Sequence, residues 1–196
     1  MGILDSILGF FAGTGPRLVV DMGTFVRGID MNRRTRDGRL TPHWGIDIGA
    51  PDGTPVHAIA AGTVILSRPV RGYGNVVMVR HDDGQTSALY AHLSRSNVQE
   101  GQRVAAQDTI AATGTTSVGQ QVTFVNGVPQ SSGEMSGGNV GASVGPHLHM
   151  EIHPAPIPNM AANFRRIDPV AWLQRNNVRQ FASRWNPRGR VDMPVT

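Results

Sequence analysis

The chain has 196 residues, enough for one domain or one and a half at about 150 residues each. Its 24 glycines, 13 prolines, 39% apolar and 16% charged residues describe a turn-rich globular protein and exclude a disordered acidic chain, a coiled coil and a helix bundle. All 18 basic residues are Arg, set against 14 carboxylates for a net charge of +4. The excess at 27–39 and 165–190 suits attraction to a polyanionic surface, and without cysteine a metal would need His and carboxylate ligands.

In Met1–Ala12, residues Ile3, Leu4, Ile7, Leu8 and Phe11 recur at helical spacing, predicting a short amphipathic helix that docks on its own domain, on a partner or on a membrane surface. The first basic residue is Arg17, so no cleavable export signal is read. No run approaches the roughly 18 apolar residues of a membrane span. Strand-like runs follow at 17–20, 62–67, 75–80, 86–92, 102–104 and 109–113, each rich in β-branched residues and bounded by Gly, Pro, Asp or Asn. Asp82-Asp83-Gly84 reads as a hairpin turn. Residues 115–144 are a Gly/Ser-rich insertion, with a small hairpin predicted for Val122–Val125 and Val128 around Asn126-Gly127. Asp168-Pro169 starts a helix as N-cap and first position, and 176–196 is an Arg-rich tail. The expected organisation is an N-terminal segment (1–16), a mainly β domain (17–175) and the tail. The domain is expected to be an antiparallel β-sheet sandwich or partial barrel with short flanking helices.

The seven histidines carry the chemistry. Pro42–Ile48 should be extended, so His43, Gly45 and Asp47 share one face while Trp44, Ile46 and Ile48 point into a core. Gly45 leaves room for something bound to both an imidazole and a carboxylate. The same alternation in 145–153 puts His147, His149, Glu151 and His153 opposite Leu148, Met150 and Ile152, and places Tyr90 and His92 together. Each piece alone also reads as a half-buried strand with its histidines in water. Together, an H-x-x-x-D, an H-x-H and a Tyr-x-His strand in one small sheet can converge. Two His and one Asp supply the three ligands of a catalytic zinc site, which keeps a position for water. Glu151 either orients a ligand imidazole or faces solvent. His57 and His81 read as surface or satisfied polar residues, His153 as a rim residue, and Tyr73 as a turn residue lining the cleft.

His43-x-x-x-Asp47, Gly45-Ile-Asp-Ile-Gly-Ala-Pro51, Gly62-Thr-Val64, Tyr73-Gly-Asn-Val-Val77, Tyr90-Ala-His-Leu93 and Gly145-Pro-His-Leu-His-Met-Glu151 resemble the lysostaphin-type (LytM-like) zinc endopeptidases, which cut peptide bonds in bacterial peptidoglycan. The resemblance covers about residues 40–153, and an Asp168-Pro-x-x-Trp-Leu173 helix follows as it often does in that family. It implies Zn2+ held by His43, Asp47 and His149, catalytic roles for His92 and His147, a substrate groove that includes Tyr73 and Tyr90, and a peptidoglycan peptide as substrate. The insertion, entering directly before His147, is expected to select the cross-linked peptide. Arg-rich flanks without an export signal suggest a phage virion component acting in the periplasm or cell wall, with a periplasmic or extracellular enzyme as the alternative location. No specific nucleic acid is expected as partner. The alternative function is a catalytically inactive relative that binds peptidoglycan or activates another hydrolase.

Overall fold

Short runs of β-branched residues between Gly, Pro and Asp turns become eleven strands and one helix among the described residues of the computed structural model, which are 18–21, 23–34, 38, 40, 42–116, 122–125, 128–131, 145–155, 166–176 and 178. The expected Met1–Ala12 helix, most of the 115–144 insertion and nearly all of the tail lie outside them. The strands are β1 (Thr24–Arg27), β2 (Ile46–Gly49), β3 (Pro55–His57), β4 (Gly62–Val70), β5 (Gly74–His81), β6 (Thr86–Ser96), β7 (Arg103–Val104), β8 (Thr109–Thr113), β9 (Val122–Val125), β10 (Val128–Ser131) and β11 (His147–Pro154); the helix is α1 (Pro169–Arg175). One antiparallel sheet runs β1-β2-β11-β6-β5-β4-β7, with β8 joining β6 to β3. β9 and β10 pair separately as the expected hairpin. Of the run predicted at 17–20, the described residues 18–20 form only an isolated bridge, from Val20 to Val56, while β1 and β3 were not anticipated.

The sheet buries both faces. On one face Ile46, Ile48, Val77, Val79, Tyr90, Leu148, Met150 and Ile152 form the main core with Trp172 and Leu173 of α1. On the other, Leu66, Val76, Met78, Leu89 and Ala91 form a smaller cluster against which Tyr73 packs. Asp168 caps α1 as expected, its carboxylate accepting from the Val170 amide at 2.9 Å.

Strand β6 changes partner along its length. Residues 86–91 pair with β11, whereas Leu93, Arg95 and Ser96 pair with β8. The break falls at His92, whose φ of 61° is left-handed. Against β5, Val77 pairs with Tyr90 and Asn75 with Leu93, so Val76 alone faces both Ala91 and His92 and β6 carries a bulge. That bulge folds the sheet over towards β8 and β3.

His81 is 2% exposed, which places it inside the domain and not on its surface. The Thr86 hydroxyl donates to Asp83 at 2.6 Å and therefore accepts from His81 Nδ1 at 2.8 Å. Nε2 is left as a buried lone pair beside the Trp172 ring, with centroids 5.2 Å apart. Burial pushes the His81 pKa from its ordinary 6.5 down to about 4. The unfolded chain then takes up a proton below pH 6.5 that the folded chain accepts only near pH 4. Stability should fall by up to about 3 kcal/mol as pH drops through that window. His81→Asn, which keeps the donor to Thr86 but cannot titrate, is expected to flatten this dependence in urea melts at pH 4 to 7. Equal slopes for both proteins would refute it.

Candidate metal centre

β2 and β11 lie side by side although about a hundred residues separate them in sequence, and their register sets His149 directly opposite Asp47. His43 reaches the same point from the segment before β2, pinned by a two-way backbone pair with Asp30 at 2.8 and 2.9 Å. His43 Nε2, Asp47 Oδ1 and His149 Nδ1 form a triangle with edges of 3.0, 2.9 and 3.1 Å. Ligands 2.0–2.1 Å from a tetrahedral zinc are roughly 3.3–3.4 Å apart, so these donors, drawn slightly inward, fit such an ion. Among the described residues this is the group of His, Asp and Glu side chains able to hold a metal.

The ring protons are directed by neighbours. The Gly28 carbonyl can only accept, so His43 Nδ1 donates to it at 2.7 Å and Nε2 turns its lone pair to the triangle. His149 Nε2 likewise meets Glu151 Oε1 at 3.1 Å, leaving Nδ1 for the centre. Burial would raise the Asp47 pKa, but the adjoining His149 and His43 rings outweigh it and hold the carboxyl well below the carboxylate range. For His149, burial is outweighed by Asp47 and Glu151, which raise it to about 9.

Gly45 does not leave an open space between His43 and Asp47. A Cβ there would lie 2.3 Å from the Met150 carbonyl, 2.8 Å from the His149 ring and 2.9 Å from Glu151. The missing side chain lets β11 press its ligand histidine against β2. Trp44 is half-buried beneath the Arg166 guanidinium, 4.6 Å from the ring centroid, and does not point into the core.

A second pair of imidazoles flanks the triangle. His92 and His147 have ring centroids 4.8 Å apart, and His147 Nε2 lies 3.9 Å from Asp47 Oδ1. His92 Nδ1 donates to the Thr116 carbonyl at 2.6 Å and His147 Nδ1 to that of Gly145 at 3.0 Å, so each keeps an Nε2 lone pair. Burial, reinforced by His149, pushes His92 down to about 4 and keeps it neutral at pH 7. Its left-handed backbone is held by its amide, which donates to Tyr73 O at 2.8 Å. Thr116 was not anticipated; it also accepts from the Asn75 amide and donates to Leu93 O, tying the start of the insertion beside His92.

Behind His149, Glu151 is 1% exposed and does not face solvent. Besides His149 it meets the Tyr73 hydroxyl at 2.8 Å, Arg166 Nε at 2.8 Å and His153 Nε2 at 2.8 Å. Burial opposes its charge, but hydrogen bonds from His149 and His153 hold its pKa well below the ordinary value. His153 is fully buried, contrary to the rim position expected, because the stretch from Arg166 into α1 covers that end of β11. Tyr73 stands at the site with its ring centroid 5.7 Å from that of His149. Tyr90 does not: it is fully buried in the core and its hydroxyl accepts from the Ile59 amide at 3.0 Å, so it lines no groove. His57 pairs with Asp21 away from the centre.

A family model described as peptidase family M23 matches residues 41–169. The peptidoglycan DD-endopeptidase ShyA of Vibrio cholerae is 32% identical over 148 residues, 74% of this chain and 28% of that protein. The catalytic domain of lysostaphin from Staphylococcus simulans superposes with a TM-score of 0.55 at 25% identity, covering 76% of this chain and 91% of that one. A zinc-containing peptidase from Vibrio cholerae gives 0.51 at 25% identity, covering 76% of this chain and 41% of that one. The chain spans less than a third of the length of these curated relatives.

Proposed function

The chain belongs to peptidase family M23, and on that premise we propose that it is a zinc-dependent endopeptidase that hydrolyses peptide bonds in bacterial peptidoglycan. The observation that carries this reading is the convergence of His43, Asp47 and His149 within 3.1 Å of one another beside a second, separately held imidazole pair. In this reading those three residues hold Zn2+. A bound zinc supplies a Lewis acid for a peptide carbonyl and activates water at neutral pH.

The rest is the work of the chain's own side chains. One of His92 and His147 takes a proton from the attacking water at Nε2 and returns it to the departing amine. The other, once protonated at Nε2, donates to the oxygen of the scissile carbonyl as charge develops there. Their Nδ1 hydrogen bonds to backbone carbonyls hold both rings for these tasks. Tyr73 lines the groove and Glu151 orients His149. The substrate class is supported by relatives whose names specify peptidoglycan endopeptidase activity. Virion delivery is an expectation of the sequence on which these relatives do not bear.

Incubation of the purified protein with isolated sacculi, followed by mass spectrometry of soluble fragments, tests the reading. Fragments with newly freed amino groups at peptide bonds are expected, abolished by a chelator and restored by added Zn2+. Fragments cut only in the glycan, or chelator-insensitive release, would refute it.

A further inference from the structure

One cation reaches the buried Glu151 from outside the sheet. Arg166 precedes α1, with a side chain 4% exposed. Its Nε donates to Glu151 Oε2 at 2.8 Å and its guanidinium lies over the Trp44 ring at 4.6 Å. Trp44 is the residue after His43, and Glu151 lies two beyond His149. Arg166 thus stands one step behind both segments that carry the triangle. It is itself fixed, since the next residue, Ile167, donates its amide to Ile152 O at 2.9 Å and α1 anchors Trp172 and Leu173 in the core.

We infer that Arg166 is a positioning residue for the metal centre: through Glu151 it sets the orientation of His149, and through Trp44 the path of the chain at His43. This rests on His43, Asp47 and His149 being the ligands. The terminal torsion of a Glu side chain is broad, so the carboxylate plane must be fixed by its partners. Oε1 receives His149 Nε2 at 3.1 Å and the Tyr73 hydroxyl at 2.8 Å; Oε2 receives Arg166, with His153 alongside. Removing the guanidinium frees the Oε2 side, and the carboxylate can swing Oε1 away from the His149 N–H. Lysine is a poor substitute, because a point charge neither fixes a carboxylate plane nor stacks flat on an indole.

Co2+ is the probe, since its visible absorption reports coordination geometry and its affinity can be read by chelator competition. Arg166→Gln is expected to bind Co2+ about 10–100-fold more weakly, as for other groups that orient a metal-ligating histidine, with an altered visible spectrum. Combined with Glu151→Gln, it should add less than about threefold to the loss from Glu151→Gln alone. A merely structural role would lower the thermal midpoint and leave the spectrum unchanged. Should Arg166→Gln fail to unfold cooperatively, Arg166→Lys keeps the charge and carries the same expectation for the spectrum. Wild-type affinity and spectrum in the Arg166 variant, or losses that add fully with Glu151→Gln, would overturn the inference. His149→Ala is the control: if it binds Co2+ like the wild type, the ligand assignment falls first and this inference with it.

Discussion

Asp47→Asn and His149→Ala should each reduce bound zinc from one ion per chain to none and abolish release of peptidoglycan peptides, a loss well beyond the roughly 10–100-fold that follows removal of a group behind a ligand. The two act differently. Asp47 supplies the one negative charge of the triangle, with its Oδ1 at 3.0 and 2.9 Å from the two imidazole nitrogens. Asparagine keeps the shape but presents either a neutral oxygen or an N–H to a cation. His149→Ala removes a nitrogen donor and also strips Glu151 of a hydrogen bond, so it should be the less stable of the two. Because His149 and His43 hold the Asp47 carboxylate in its charged form, Asp47→Asn should also melt below the wild type once zinc is removed from both, though by less than His149→Ala. Metal analysis of the purified variants and calorimetry with chelator check this. A zinc-replete Asp47→Asn protein would remove the proposed centre.

Much of that centre was legible because strands obey a period of two. The alternation at 43–48 and 147–153 put Asp47 and His149 on the polar faces of their strands, and the observed register of β2 on β11 sets them opposite each other. The same rule failed for Tyr90 and His92. It assumes an unbroken strand, and the bulge at His92 inserts a residue that returns Tyr90 to the core beside Leu93. A non-glycine residue at left-handed φ carries no compositional mark; the surroundings impose it, here through Tyr73 O and Thr116 O. His153 and Trp44 were misjudged for one shared reason. Their surroundings come from Arg166, Ile167 and α1, and local periodicity says nothing about which distant segment covers a strand's polar face. Gly45 was noticed correctly but for the wrong cavity, since the side chain it omits makes way for a strand and not for a ligand.

His92→Gly and His147→Ala should each lower kcat by about 10²–10⁴-fold while zinc content stays at one per chain, because neither imidazole belongs to the triangle. Glycine is the cleaner replacement at 92. The backbone there has φ 61°, a conformation that costs an L-residue roughly 1–2 kcal/mol and glycine almost nothing. His92→Gly should consequently be more stable than His92→Ala, although both lose the 2.6 Å bond to Thr116 O. Substrate affinity should change little, so the loss appears in kcat and not in KM. With ring centroids 4.8 Å apart, the two histidines would serve a single proton transfer and carbonyl polarisation. The double variant should then fall no more than a few-fold below the weaker single one, as happens for groups that act as a unit. Independent, multiplicative losses would mean that they serve separate steps. A single variant that keeps a tenth of wild-type kcat would show that its imidazole handles no proton in the slow step.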